Sequence, residues 1–167
     1  MIRPARPEDV PRVWELVRAL AVYEKLEDRL TGSAEQLASH LFAEHPLVEC
    51  QVAEDAEALV GYALFHTIYS SFRARPMMWL EDLYVESSHR GRGLGRALLA
   101  VVAREATARG CLRLSWAVLD WNEPTIRFYE SLGAVRGDSG WHVYQAEGAA
   151  LRALDAGGAP RASADAG

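Results

Sequence analysis

Arg90-Gly91-Arg92-Gly93-Leu94-Gly95 places three glycines at every second position, behind and between two arginines. Glycine has no side chain and tolerates φ > 0, so backbone N–H groups in such a run can converge on an anion. The start of the helix that follows adds partial positive charge, and Arg90 and Arg92 add full charges. A pyrophosphate is the guest that suits this chemistry. Two other phosphate motifs do not fit. A P-loop needs Gly-Lys followed by Ser or Thr, and the single lysine of the chain is Lys25. The dinucleotide fingerprint wants Gly-x-Gly-x-x-Gly at the first strand-to-helix turn, whereas this run has a shorter last spacing and lies mid-chain. A second concentration of chemistry is the acid-rich end of the first helix, with Tyr23, Glu24, Glu27 and Asp28. Acids oppose the helix dipole there, so either a cationic ligand or a solvated helix end accounts for them. The five histidines show neither metal-ligand nor triad spacing.

The elements that must hold these residues alternate between strand and helix. Residues 2–5 read as a short strand. Pro7, Glu8 and Asp9 suit a helix start, after which Val10, Val13, Trp14, Val17, Leu20 and Ala21 recur at helical spacing. Ser33 is the expected N-cap of a second helix with Leu37, Leu41 and Phe42 on its apolar face. Strands are expected over 48–53 and 59–68, joined by the acidic turn 54–57, and over 77–85 after a loop at 73–76. A helix is expected over 91–109, with Leu94, Leu98, Val101 and Val102 buried and Gly110 as its stop. A strand over 112–118, a helix over 122–132 capped by Asn122 and ended by Gly133, and a closing strand over 141–146 complete the order. The expected fold class is α/β, a mixed sheet flanked by helices. One domain covers 1–150, and 151–167 reads as a flexible Ala/Gly-rich tail with almost nothing to bury.

Composition bounds the function. The 167 residues are half hydrophobic and a quarter charged, the balance of an ordinary globular domain. A net charge of -5 with scattered arginines argues against nucleic acid, which requires a basic face, and suits cationic ligands. Cys50 and Cys111 lack metal spacing and read as structural thiols in a reducing compartment. No secretion signal is visible and no apolar run is long enough to span a bilayer, so a cytoplasmic location without membrane association is expected.

The glycine run resembles the Arg/Gln-x-x-Gly-x-Gly/Ala signature of the GNAT acetyltransferase superfamily. Its flanks narrow the likeness. Trp79-Leu80-Glu81-Asp82-Leu83-Tyr84-Val85 resembles the fourth strand of the spermidine/spermine (diamine) acetyltransferase group. Asp120-Trp121-Asn122-Glu123-Pro124-Thr125-Ile126-Arg127-Phe128-Tyr129 resembles that group's cofactor-contacting helix, and Tyr23-Glu24 and Gly140-Trp141 add to the match. The likeness spans 2–146. It implies a GNAT fold: a mostly antiparallel sheet whose strands four and five splay apart to admit the pantetheine arm of acetyl-CoA. It assigns cofactor contacts to Leu83, Tyr84, Val85, Arg90, Gly91, Arg92, Gly93, Leu94, Gly95, Arg96, Asn122 and Thr125, and acceptor contacts to Tyr23, Glu24, Asp82 and Trp141. No metal is implied. A homodimer is, and the five tryptophans leave room for an interface. The acidic pair that precedes Gly-Trp in the animal polyamine enzymes reads Asp138-Ser139 here, in a shorter loop, which weighs against a long polyamine.

Acetyl transfer to an amine sets two proton problems. An amine with a pKa of about 10.4 is neutral in only about one part in two thousand at pH 7, so the site must accept a proton. Glu81 is the expected acceptor, through water. By period-2 alternation it shares a face with Trp79 and Leu83, while Asp82 points the other way unless a bulge intervenes. The departing thiolate needs a proton, which the resemblance assigns to the hydroxyl of Tyr129, two helical turns after Asn122. The expected function is acetylation of a primary amine of a small cationic acceptor such as a polyamine or diamine. The alternatives are a lysine-like amino acid such as thialysine, or a non-catalytic acyl-CoA-binding sensor.

Overall fold

The structure, a computed structural model, describes residues 1–56, 58–137 and 143–155. Five strands, β1 (Ile2–Pro4), β2 (Glu49–Asp55), β3 (Ala58–Ser70), β4 (Arg75–Val85) and β5 (Leu114–Ser115), form one sheet in the order β1-β2-β3-β4-β5. Every neighbouring pair is antiparallel except β4 and β5, which run parallel. The helices are α1 (Val10–Glu24), α2 (Ala34–Leu41), α3 (Leu94–Ala108), α4 (Glu123–Glu130) and α5 (Gly148–Asp155). This is the expected mixed sheet with helices. The chain divides into two compact units, Met1–Glu123 and Pro124–Gly167.

Helix α1 begins where the Asp9 carboxylate accepts the Arg6 backbone N–H at 2.7 Å, and ends at Lys25 in the left-handed conformation. Its buried residues are Val10, Val13 and Leu16, packed with Leu41 on Cys50, Val52, Tyr62, Leu64 and Tyr84. Leu16, outside the expected set of Val10, Val13, Trp14, Val17, Leu20 and Ala21, is fully buried, while the Trp14 ring packs over Gly32. Ser33 caps α2 by accepting from Gln36 N–H, but Phe42 is 42% exposed, because the helix ends at Leu41 before its face is completed. Helix α3 lies against β2, β3 and β4 through Leu98, Leu99, Val102 and Ala106. Leu94 is only partly buried, so the stripe runs one turn deeper into the helix than expected.

Three strand expectations change. β4 starts at Arg75, within the expected loop. β5 covers two residues rather than 112–118, since its ladder with β4 stops at Trp79↔Ser115. Of the expected closing strand, 143–146 carry no strand hydrogen bonding, and the rest lies outside the described residues. Helix α5 covers part of the stretch expected to be tail.

Candidate active site

β4 carries a bulge at the point that matters. Leu64 pairs with Asp82 and Phe65 with Leu80, so Glu81 is an extra residue with no partner in the ladder. A bulge re-aims the side chains after it. Leu80, with Phe65, belongs to the α3 side of the sheet, whereas Asp82 joins Leu64, Tyr62 and Tyr84 on the α1 side. Glu81 stays on that same side. Its Oε2 accepts the Trp79 indole N–H at 2.8 Å and lies 3.8 Å from His66 Nε2, and Trp79 and His66 are ladder partners. Both acids therefore face α1. The bulge follows closely on Trp79, the last residue of β4 that pairs with β5. Beyond Trp79, β4 keeps β3 on one edge and no ladder partner on the other among the described residues.

The electrostatics of the two acids differ. Burial pushes the Asp82 carboxyl up to about 6; the Tyr62 hydroxyl, which donates to it at 2.9 Å, works against this, and the charges of Glu81 and Glu24 add to it. Burial also raises Glu24, at the end of α1. Glu81 is about half exposed and open to solvent. Glu24, Asp82 and Tyr62 thus form one acidic group. Tyr62 and His66 lie outside every motif that the sequence offers for the site. Both sit at even positions of β3, a period-2 signal, but only the register of β3 on β4 brings them to the acids.

The glycine run lies between β4 and α3. Gly91 and Gly93 have φ of 77° and 80°, and Gly93 caps α3 with no side-chain acceptor. A Cβ at either position would meet no atom within 4 Å, so the left-handed backbone, not crowding, demands glycine. The start of α3 is thereby presented as an anion cradle. Leu94 and Gly95 are partly buried and Arg96 is exposed. Arg90 Nε donates to the Val85 carbonyl at 2.9 Å, and its guanidinium stands 4.7 Å over the Tyr23 ring and 5.5 Å from that of Tyr84. The Tyr23 hydroxyl in turn donates to Asn122 Oδ1 at 3.0 Å. Tyr23 therefore links the end of β4, the glycine loop and buried Asn122. Arg92 turns to Asp55 at 2.6 Å.

Within the second unit, Tyr129 is buried on α4 with its ring 5.2 Å from that of Phe128, and Thr125 is partly buried. Trp141 lies outside the described residues. Glu27 and Asp28 lie in the short turn that follows α1.

A mixed five-stranded sheet with a bulge in β4 and a glycine loop leading from β4 into α3 is the frame on which the comparisons bear. Residues 13–134 match the model of the acetyltransferase (GNAT) family, and the chain belongs to that family. It is 40% identical over 164 residues to the thialysine N-epsilon-acetyltransferase of Bos taurus, covering 92% of this chain and 96% of that protein. It is 29% identical over 153 residues to the spermidine/spermine N(1)-acetyltransferase-like protein 1 of Homo sapiens, covering 86% of this chain and 22% of that one. Among solved structures, an integron cassette protein from V. cholerae superposes with a TM-score of 0.74 at 27% identity, over 93% of this chain and 96% of that one. The protein is an N-acetyltransferase, and its family uses acetyl-CoA as co-substrate. The uncapped start of α3, the two left-handed glycines and the unpaired edge of β4 fit such a group.

Proposed function

We propose that this enzyme acetylates the terminal primary amine of a short cationic acceptor, with a lysine-like amino acid of the thialysine type first and a short diamine second. The observation that carries this reading is the bulge at Glu81, which puts Glu81 and Asp82 on the α1 face with Glu24. Asp82 and Glu24 draw the ammonium group in. Glu81, half exposed and oriented by the Trp79 N–H, takes the amine proton through water. The amine nitrogen then bonds to the acetyl carbon as the carbon–sulfur bond breaks; Tyr129 gives its hydroxyl proton to the thiolate, and the proton that the new amide nitrogen sheds restores the Tyr129 hydroxyl through solvent. Backbone groups of Leu83, Tyr84 and Val85 on the open edge of β4 hold the pantetheine arm, with Asn122 and Thr125. Residues 90–96 hold the pyrophosphate. The family resemblance adds Trp141 to the acceptor contacts.

A second reading makes Asp82 the base, favoured by its carboxyl at about 6, not far below neutral pH. The deciding experiment for the acceptor is thiol release from acetyl-CoA against spermidine, spermine, short diamines, lysine, thialysine and peptide N-termini. The highest kcat/KM is expected for thialysine or lysine, with spermine poor. Turnover on peptide N-termini alone, or on no amine at all, refutes the reading.

A further inference from the structure

Arg92 is a cation of the glycine loop, and it does not stand free. Its Nη1 lies 2.6 Å from Asp55 Oδ2, at the end of β2. The sheet register is what brings them together. Gly61 pairs with Val85 at a spacing that admits no side chain, since a Cβ on Gly61 would lie 2.7 Å from the Tyr84 carbonyl. That close approach, with Glu86 N–H donating to the Val60 carbonyl, holds the start of β3 against the end of β4, and Asp55 at the end of β2 meets Arg92 of the loop. His89 Nε2 is 3.9 Å from the same Asp55 oxygen, and its Nδ1 is 3.7 Å from Glu86, which Arg12 holds at 2.6 Å. Asp55 itself thus faces Arg92 and His89, and Glu86 is already engaged by Arg12.

We propose that Asp55 is a built-in competitor for the cofactor's phosphates: it shares Arg92 with them, weakens coenzyme A binding and speeds release of the spent cofactor. This rests on the assignment of the glycine run as the cofactor's phosphate site. The physical case is a balance between two anions. The Arg92–Asp55 pair is surface-exposed, 60% and 37% by side chain, so its net worth is small and a phosphate with more charge and more acceptor oxygens can displace it. It still has to be broken for Arg92 to turn, and that cost lowers affinity. A transferase must discharge coenzyme A in every cycle, and product release often limits turnover.

The test is calorimetric titration of coenzyme A and dephospho-coenzyme A into the wild type, Asp55→Asn, Arg92→Ala and the double variant, with dissociation rates by stopped flow. Asp55→Asn is expected to lower Kd about two- to fivefold and to slow dissociation by a similar factor. Arg92→Ala is expected to raise Kd about tenfold, and Asp55→Asn in that background to change nothing. A gain kept with dephospho-coenzyme A puts Arg92 on the pyrophosphate, and one confined to coenzyme A puts it on the 3′-phosphate; either supports the proposal. An unchanged Kd in Asp55→Asn overturns it, as does a gain that survives intact without Arg92. Failure of the wild type to bind coenzyme A at all would instead refute the phosphate-site assignment.

Discussion

Glu81 and Asp82 are adjacent in the chain and chemically alike, yet their surroundings differ. Asp82 is held against Tyr62 with its carboxyl raised to about 6, while Glu81 meets an indole N–H at the surface. An acid with a raised pKa is neutral below that value and charged above it. If Asp82 attracts the acceptor's ammonium, KM for a cationic amine should climb as pH falls through about 6, and Asp82→Asn should carry the high KM at every pH. Glu81→Gln should instead lower kcat by about a hundredfold or more, the range for losing a general base, with KM little changed. Steady-state kinetics from pH 5 to 9 would separate the two. A large kcat loss in Asp82→Asn, with Glu81→Gln near normal, would transfer the base role to Asp82.

Among the elements, β1 is only three residues long and depends on its ion pairs. Arg3 donates to both oxygens of Asp9 at 2.6 and 3.0 Å and to Glu54 at 2.6 Å, joining β1, the turn before α1 and the end of β2. The Asp9 side chain is 7% exposed, and Arg3 holds its carboxyl below the ordinary range. A depressed carboxyl contributes stability above its unfolded pKa and loses it as pH falls through the folded value. Asp9→Asn should therefore cost about 1–3 kcal/mol at pH 7, since the partly buried Arg3 loses one of its two charged partners. Urea unfolding followed by circular dichroism would measure this. The gap between variant and wild type should narrow below pH 4, and a gap that stays constant down to pH 2 would show that the pair's charge is not what matters.

At the scale of the whole molecule, 23 acids against 18 lysines and arginines give an acidic protein that must nonetheless bind a polyanionic cofactor. The arginines of the glycine run sit at the start of α3, while Glu24 and Asp82 concentrate negative charge on the α1 face. Such a division favours a cationic acceptor by long-range attraction, which salt screens over about 8 Å at physiological ionic strength. Raising salt should therefore increase KM for a short diamine about two- to tenfold while leaving kcat unchanged. A zwitterionic acceptor should respond less. Equal KM shifts for both would remove steering from the account.

How much of this was legible beforehand depended on whether the signal was local. The glycine loop between β4 and α3, the Ser33 cap, α1 and the body of α3 follow from spacing and turn chemistry carried within a few residues, although α3 starts at Leu94 rather than at 91. The family likeness was legible for the same reason, because its motifs are short and contiguous. Leu16 at the core, Phe42 at the surface and the two-residue β5 were not, since each depends on which neighbour a face meets. The site turns on the same distinction. Alternation along β4 puts Asp82 on the far side from Glu81, and only the ladder with β3, which leaves Glu81 unpaired, brings both acids to α1. Asp55 reaches Arg92 across 37 positions through a hairpin whose close approach at Gly61 no local pattern announces. Residue types determine which chemistry is available; pairing register, a property of two strands at once, decides which groups share a site.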